Sequence, residues 1–176
     1  MLEHLAYHDE LTGLPSLRLG KDRLDQAILA SQRHNLSAAV MYLDLDGFKK
    51  INDEFGHTAG DEVLKVISHR VANELKATDT VARVGGDEFI IIMTNIKIES
   101  IIANLAQKII NTVKNPIYYN EKALRVTASI GITVCPTNCI SSDELIKKAD
   151  STMYKVKMES KNNYAFTLRH KNQLWQ

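Results

Sequence analysis

The sequence predicts a single α/β domain in which helices pack against a mixed sheet of about five strands. Short runs rich in β-branched or aromatic residues alternate with longer segments whose apolar residues recur at helical spacing. Two of the short runs, residues 80–82 and 89–93, are joined through a two-glycine turn, which is typical of a β-hairpin. The chain of 176 residues is 44% hydrophobic and 24% charged, which suits one globular domain that can bury a core.

The first half of the chain predicts a helix, a strand and two further helices. Apolar residues recur at helical spacing over about 16–32. The continuous apolar run at 36–45 is typical of a strand buried on both faces. A short helical segment follows at 47–51, and the polar, glycine-containing residues 52–61 indicate a loop before a helix at 63–75.

The second half of the chain completes the sheet. The predicted order for the whole chain is helix, strand, helix, helix, strand, strand, helix, strand, helix, strand. The remaining elements are the hairpin, a helix at about 99–114 that stops before Pro116, a long strand at 124–134, a helix with a capped start at 141–144 and a strand at 164–168.

The net charge limits the possible ligands, and the sequence pattern gives the expected limits of the domain. The net charge of +1 excludes a domain whose overall field attracts nucleic acid, so any phosphate site must be local. We expect 1–176 to be a single domain with its core at about 6–168. Residues 1–8 are expected to be the end of an upstream signalling helix, and 169–176 a weakly ordered tail.

The predicted compartment is the cytoplasm, either for the chain itself or for this part of a larger, possibly membrane-bound protein. No stretch is apolar and long enough to be a signal peptide or to insert directly into a membrane. Cys135 and Cys139 have no second cysteine pair and no nearby histidine with which to build a zinc site. Two reduced, unlinked cysteines are therefore expected.

Three acidic residues lie where a sheet can hold a ligand. Asp87 and Glu88 follow two glycines, which have no Cβ atoms and let a ligand approach the backbone. Adjacent carboxylates repel each other, and this favours a bound divalent cation. Asp44 lies at the carboxyl end of the buried strand, where ligand sites commonly form. The alternative for Asp87 and Glu88 is a solvated polar turn.

Other polar residues have simple structural interpretations. Asp46 precedes one helix and Asp61 stands near the start of the next, so each fits a helix N-cap. A turn or cap role also remains open for Asp44. His57 fits a structural hydrogen-bonding role in a glycine turn. The lysines of the last helix fit a solvated face, with favourable charge at the helix C-terminus.

Six motifs in one order carry a family resemblance. They are Asp-Glu-Leu-Thr-Gly-Leu-Pro at 9–15, Asp-Leu-Asp-Gly-Phe-Lys at 44–49, Ile-Asn-Asp at 51–53, Gly-His-Thr-Ala-Gly-Asp at 56–61, Gly-Gly-Asp-Glu-Phe at 85–89 and Ala-Ser-Ile-Gly at 128–131. With them the chain resembles the GGDEF family of diguanylate cyclases. The resemblance implies a mainly antiparallel sheet similar to that of nucleotidyl cyclases and polymerase palms. It also implies condensation of two GTP molecules into cyclic di-GMP with release of two pyrophosphates.

The resemblance further implies roles for individual residues. Asp44, the backbone carbonyl of Leu45 and Asp87 would hold Mg²⁺ (or Mn²⁺). Asp87 would also help to deprotonate the ribose 3′-OH, and Glu88 would complete the acidic site. The GTP-binding residues would be Asn52 and Asp61 at the guanine edge with His57 nearby, and Lys49, Lys157 and Lys161 at the phosphates.

These residue types suit the implied chemistry. A metal held by carboxylates can lower the pKa of an attacking alcohol and neutralise a crowded phosphate together. A carboxylate can accept both N–H groups on the guanine edge, while an amide can serve its acceptors. One site holds one GTP, so the resemblance implies a homodimer in which two domains face each other. An upstream sensory or regulatory domain is the other implied partner.

Two departures from the family pattern carry information. The family usually has Gly and then Arg after the basic helix, where this chain has Ser160 and Lys161. A bidentate phosphate contact there becomes at best a point charge. Lys76 and Asp79 stand where many members carry an inhibitory product site, Arg-x-x-Asp, so this chain has a degenerate form of it. The alternative is that both residues are the solvated end of a helix.

Three functions are therefore compared. The first is an active diguanylate cyclase. The second is a catalytically weak domain that binds GTP or cyclic di-GMP and regulates a larger signalling protein. The third is a purely structural dimerisation domain, which leaves Asn52 and Asp61 unexplained.

Overall fold

The computed structural model describes residues 7–135 and 141–168, which fold around a five-stranded sheet with helices on both faces. The helices are α1 (Leu17–His34), α2 (Phe48–Phe55), α3 (His57–Glu74), α4 (Ser100–Val113) and α5 (Ser142–Glu159). The strands are β1 (Ser37–Asp46), β2 (Thr80–Gly85), β3 (Glu88–Ile96), β4 (Ile117–Tyr119), β5 (Lys122–Leu124), β6 (Thr127–Cys135) and β7 (Asn163–Phe166).

The sheet is mixed and mainly antiparallel, with strand order β2-β3-β1-β6-β7. The central strand β1 pairs antiparallel with both β3 and β6, and β2 pairs antiparallel with β3. The edge strand β7 runs parallel to β6. The predicted fold class is therefore confirmed, including the number of strands and the β2–β3 hairpin.

Strand β1 divides the core into two layers because side chains alternate between the faces of a sheet. Ala39, Met41 and Leu43 point to the face that α3 and α4 cover. Ala38, Val40 and Tyr42 point to the face that α1 and α5 cover. All ten residues of β1 are buried, which explains the continuous apolar run in the sequence. The same alternation sends Asp44 and Asp46 toward α5.

The predicted strand at 124–134 is wrong at its start. Leu124 ends β5, which pairs with β4 in a separate two-stranded hairpin, and the sheet strand β6 begins only at Thr127. Asn120 and Glu121 form the hairpin turn with φ of 46° and 64°. Turns of this kind normally carry Gly at the second central position, and Glu121 gives no such signal.

The loop predicted at 52–61 is mostly helical. Helix α2 continues to Phe55 and α3 begins at His57, so Gly56 alone separates them. Asp61 lies one turn inside α3, and its interpretation as an N-cap is wrong. The polar residues that suggest a loop lie on the exposed faces of these two closely consecutive helices. Ile51 and Ala59 are buried on the inner faces of the same helices.

Some expectations concern the ends of the described region. Cys135 is fully buried at the end of β6 and is disulfide-bonded, so the expectation of a reduced thiol is wrong for this residue. Cys139, most of the expected upstream helix and the expected tail at 169–176 lie outside the described residues. Among the helices that are described, none combines the length and apolar character needed to cross a membrane.

Candidate active site

The β2–β3 turn is held against the end of β1. Gly86 adopts φ of +52°, a conformation that glycine reaches without strain. The Leu45 amide donates to the Asp87 carbonyl oxygen over 3.2 Å. The turn that carries Asp87 is therefore fixed beside the strand end that carries Asp44.

Arg83 braces this turn from the other side, a role that the sequence analysis missed. Its guanidinium donates to the Gly86 carbonyl oxygen from Nε at 3.1 Å and from Nη2 at 2.8 Å. Its Nη1 lies 3.0 Å from both carboxylate oxygens of Asp9. The Arg83 amide also donates to the Pro15 carbonyl oxygen at 2.9 Å. The N-terminal motif is thus tied directly to the hairpin turn.

The predicted acidic residues form one cluster. Asp44 and Glu88 are opposite each other across the β1–β3 pair, and Asp87 precedes Glu88 in the turn. Burial raises the pKa of Asp44, and the charge of Asp87 adds to that rise. Burial also raises the pKa of Glu88, with further contributions from Asp44 and from Asp150 of α5. The cluster disfavours its own negative charge, which is the electrostatic condition for binding a cation.

Lys157 of α5 lies against this cluster. Its Nζ is 2.5 Å from Oδ1 of Asp44, and only 9% of the Asp44 side chain is exposed. Burial acts to lower the pKa of Lys157, but the hydrogen bond and charge of Asp44, with Asp87 and Asp46 beyond it, raise the pKa above its ordinary value. Lys157 therefore stays charged, and the residue predicted to meet phosphates contacts a predicted metal ligand.

Asp46 is not the helix cap that the sequence suggested. Gly47 occupies the N-cap position of α2, and no side chain caps that helix. The Asp46 carboxylate is instead bonded by Thr127 and Ser129 of β6 and by the Asn162 amide beyond α5. Helix α5 does begin as predicted, since Oγ of Ser141 accepts from the Glu144 amide at 3.2 Å.

The predicted guanine-reading residues lie on two helices that Gly56 alone separates, Asn52 on α2 and both Asp61 and His57 on α3. A Cβ atom on Gly60 would lie 1.9 Å from Oδ1 of Asn52, so Asn52 lies directly over this glycine. Asp61 follows Gly60 and is exposed beside it. His57 is exposed one turn earlier on α3, on the same side as Asp61. Gly60 is a second residue whose role the sequence analysis missed.

The two remaining predicted phosphate contacts are exposed lysines. Lys49 lies on α2, three positions before Asn52, and Lys161 follows α5. Ser160, which replaces the usual glycine, has φ of −134°, a conformation that any residue adopts. That departure from the family pattern therefore introduces no backbone strain.

Lys76 and Asp79 lie far from the acidic cluster, at the opposite end of the β2–β3 hairpin. Asp79 accepts hydrogen bonds from the Lys76 amide at 3.4 Å and from the Thr94 amide at 3.3 Å. Both residues line a groove of about 840 Å³ to which α1 contributes Arg23. Lys76 is exposed, and both carboxylate oxygens of Asp79 are engaged by backbone amides.

Comparison with known proteins adds to this geometry. Residues 6–163 match the family model described as diguanylate cyclase, GGDEF domain. The bifunctional diguanylate cyclase/cyclic di-GMP phosphodiesterase MucR of Pseudomonas aeruginosa is 39% identical over 165 residues. The cyclic di-GMP phosphodiesterase NbdA of the same species is 34% identical over 168 residues. The solved GGDEF domain of TpbB (YfiN) from P. aeruginosa superposes with a TM-score of 0.89 at 32% identity.

These alignments cover most of this chain but only a small part of the longer relatives. The alignments cover 94% of this chain but 24% of MucR, and 96% of this chain but 21% of NbdA. The TpbB domain match covers 92% of this chain and 95% of that one. The similarity therefore concerns one domain of longer relatives. The chain belongs to the GGDEF family of diguanylate cyclase domains.

Proposed function

We propose that this domain is a diguanylate cyclase that condenses two GTP molecules into cyclic di-GMP and releases two pyrophosphates. The observation that carries the proposal is the intact acidic cluster of Asp44, Asp87 and Glu88 at the carboxyl end of β1, with charged Lys157 against it. Buried carboxylates with raised pKa values, as at Asp44 and Glu88, next to a fixed cation are typical of a phosphoryl-transfer site.

The residues present fit a hard divalent cation, Mg²⁺ or Mn²⁺. Asp44 and Asp87 offer carboxylate oxygens, and Leu45, whose amide donates to the Asp87 carbonyl oxygen, offers a backbone carbonyl. Within 7–135 and 141–168, no three His, Cys, Asp or Glu side chains form a metal site by themselves. Mg²⁺ sites in proteins commonly use one or two carboxylates and complete the coordination with substrate phosphates. When bound, the cation would offset phosphate charge and lower the pKa of the attacking alcohol.

Side chains around that site would remove the proton of the attacking alcohol and offset the charge of the phosphates. We assign to Asp87 the removal of the ribose 3′-OH proton, with Glu88 completing the acidic site. Lys157 is held close by Asp44 and, because its pKa is raised, remains available as a cation for the phosphates. Lys49 and Lys161, both exposed, would add positive charge around the same phosphates.

Guanine recognition is assigned to the α2–α3 crossing. The Asn52 amide lies directly over Gly60, which Asp61 follows in α3, with His57 one turn away. A carboxylate accepts the N1–H and N2–H₂ groups of guanine together, and the amide can serve an acceptor of the same base. Adenine presents the wrong donor pattern to this pair.

The proposal requires two copies of the domain, because one site holds one GTP and the product contains two. We propose a homodimer in which the two acidic clusters face each other, in the cytoplasm, under control of an upstream sensory or regulatory domain. Specific activity is then expected to fall as the protein is diluted.

The alternative is a catalytically weak domain that binds GTP or cyclic di-GMP. Two observations favour it. Lys161 replaces the usual arginine, and one relative of similar identity, NbdA, bears the name of a phosphodiesterase. Neither observation removes an acidic or guanine-reading residue.

The test is incubation of the purified protein with GTP and Mg²⁺ or Mn²⁺, followed by separation of the nucleotides. Cyclic di-GMP with two pyrophosphates per product molecule supports the cyclase, and ATP should give no cyclic product. Binding of a non-hydrolysable GTP analogue without turnover at any protein concentration would favour the regulatory domain. Neither binding nor turnover in a folded protein would contradict both.

A further inference from the structure

Asp46 is a buried carboxylate that takes no direct part in the proposed reaction. It is the last residue of β1 and is 6% exposed. It shares with Asp44 the face of the sheet that α5 covers, because the two residues are two positions apart in the strand. A buried carboxylate in such a position must have its charge satisfied by donors.

Within residues 7–135 and 141–168, three groups donate hydrogen bonds to this carboxylate. Oγ of Ser129 donates to Oδ1 at 2.8 Å, and Oγ1 of Thr127 donates to Oδ2 at 2.8 Å. Both hydroxyls lie on β6, the antiparallel neighbour of β1. The third donor is the backbone amide of Asn162, 3.1 Å from Oδ2. Two bonds orient the carboxylate within the sheet, and the third connects it to a different segment.

That segment is the turn after α5. The amides of Ser160 and Lys161 both donate to the Val156 carbonyl oxygen at 2.9 Å and close the helix. Lys161 and Asn162 then adopt φ of +52° and +44° in succession. Non-glycine residues adopt this left-handed conformation at a cost, so surrounding contacts must hold it. The bond from the Asn162 amide to Asp46 is such a contact.

We propose that Asp46 is a positioning residue that fixes the turn carrying Lys161, and with it the end of α5 that carries Lys157, beside the phosphate site. The inference rests on the proposed function for the two lysines. The two carboxylates at the end of β1 then have different roles. Asp44 faces the reacting phosphates, and Asp46 fixes the segment that carries the two lysines. An amide at position 46 keeps one acceptor oxygen but loses the charge that strengthens all three bonds.

The test uses Asp46→Asn in the full chain, with Thr127→Val as the matched control. Thr127→Val removes one donor to the same carboxylate and leaves the Ser129 and Asn162 bonds in place. Three quantities are measured: hydrogen exchange at the Asn162 amide, affinity for a non-hydrolysable GTP analogue, and affinity for guanosine. Guanosine has no phosphates, so its affinity reports the guanine site alone.

For Asp46→Asn we expect faster exchange at Asn162 and about tenfold weaker binding of the GTP analogue, with guanosine affinity unchanged. KM for GTP should rise more than kcat falls, because binding of the phosphates is the interaction lost. Thr127→Val should leave GTP affinity near that of the wild type. Combining Asp46→Asn with Lys161→Ala should cost less than the sum of the two single losses, because Asp46 acts in part through that lysine.

Equal losses for GTP and guanosine, or fully additive effects of Asp46→Asn and Lys161→Ala, would overturn the proposal and leave Asp46 a purely structural residue. Failure of the proposed function is distinct, since the unmodified protein would then form no cyclic di-GMP from GTP. Should Asp46→Asn not fold, the Thr127→Val/Ser129→Ala double variant keeps the carboxylate but removes both hydroxyls that orient it. The same selective loss of GTP affinity is expected for it, and an unchanged GTP affinity would overturn the proposal.

Discussion

The two ends of the β2–β3 hairpin carry acidic residues in different surroundings. At one end, Asp87 and Glu88 join Asp44 in a cluster where burial, with added repulsion between the carboxylates, raises the pKa values of Asp44 and Glu88. At the other end, Asp79 accepts two backbone amides, one from its own turn and one from β3. The cluster around Asp44 brings several negative charges together, whereas the Asp79 carboxylate uses its charge to bind backbone amides and close a turn. The surroundings of a carboxylate, rather than its presence in a motif, decide whether it can serve a ligand.

The largest effect is expected for a substitution in the proposed metal site. Asp44→Asn should lower the rate of cyclic di-GMP formation by about 100-fold or more, because a neutral amide is a poorer ligand for a hard cation and a poorer partner for Lys157. Initial rates at saturating GTP measure this, with circular dichroism to show that the variant is folded. Asp53→Asn, on the exposed side of α2, is the control. Substantial product from Asp44→Asn would remove Asp44 from the proposed metal site.

A smaller effect is expected when the proposed guanine site is changed and the acidic cluster is left intact. A Cβ at Gly60 would meet Oδ1 of Asn52 at 1.9 Å, so Gly60→Ala must displace Asn52 or open the α2–α3 crossing. We expect KM for GTP to rise about tenfold, the equivalent of one lost hydrogen bond. Thr58→Ala, exposed on the same turn of α3, is the control. An unchanged KM for Gly60→Ala would mean that Asn52 does not contact guanine.

The ion pair between Asp9 and Arg83, which holds the β2–β3 turn, gives a pH-dependent prediction. Burial acts to raise the pKa of Asp9, but the hydrogen bonds from Thr12 and Arg83 outweigh it and hold the pKa below its ordinary value. Its contribution to stability is therefore complete above the unfolded-state pKa of about 4 and is lost as the pH falls through the lower folded pKa. Asp9→Asn should lower the unfolding free energy by about 1–2 kcal/mol near neutral pH.

Urea unfolding of the wild type and Asp9→Asn across the acid range measures this effect. The difference between the two proteins should shrink as the pH falls below about 4, because protonated Asp9 resembles the amide. Asp25→Asn, at an exposed position of α1, is the matched control and should show no such trend. A difference that stays constant from neutral pH to strong acid would contradict the ion pair with Arg83.

The smallest expected effect concerns the other end of the hairpin. Cyclic di-GMP at low micromolar concentration should not inhibit the proposed activity of the unmodified protein, because Lys76 replaces a bidentate arginine and Asp79 is engaged by two backbone amides. Lys76→Arg should strengthen inhibition by less than about tenfold, since it restores one charge-assisted hydrogen bond at most. Initial rates with added product measure both proteins. Strong inhibition of the unmodified enzyme would show that this end is a working regulatory site.

Local patterns predicted most of the fold. Strand β1 and the β2–β3 hairpin follow from short-range apolar runs and a glycine pair, and both were predicted. The β4–β5 hairpin was missed because Glu121 occupies a left-handed position that usually signals itself with glycine. Residues 52–61 were predicted as a loop because their polar positions are the exposed faces of two helices.

The site was predicted as a set of residues but not as a set of contacts. Asp44 and Lys157 are 113 positions apart, and nothing in the spacing of the sequence indicates that they touch. Asp46 was interpreted as a cap from its neighbour Gly47, yet its partners are 81 to 116 positions away. Long-range pairings of this kind depend on sheet register and helix docking, which residue types alone do not specify.

The most direct measurement compares the two ends of the hairpin in one assay. Wild type, Asp87→Asn and Asp79→Asn are incubated with GTP and Mg²⁺ at equal concentration, and cyclic di-GMP is quantified. We predict that wild type and Asp79→Asn form product at similar rates and that Asp87→Asn, although folded, forms none. Product from Asp87→Asn at a rate near that of the wild type, or loss of activity in Asp79→Asn alone, would contradict a catalytic centre at the Gly85–Glu88 end.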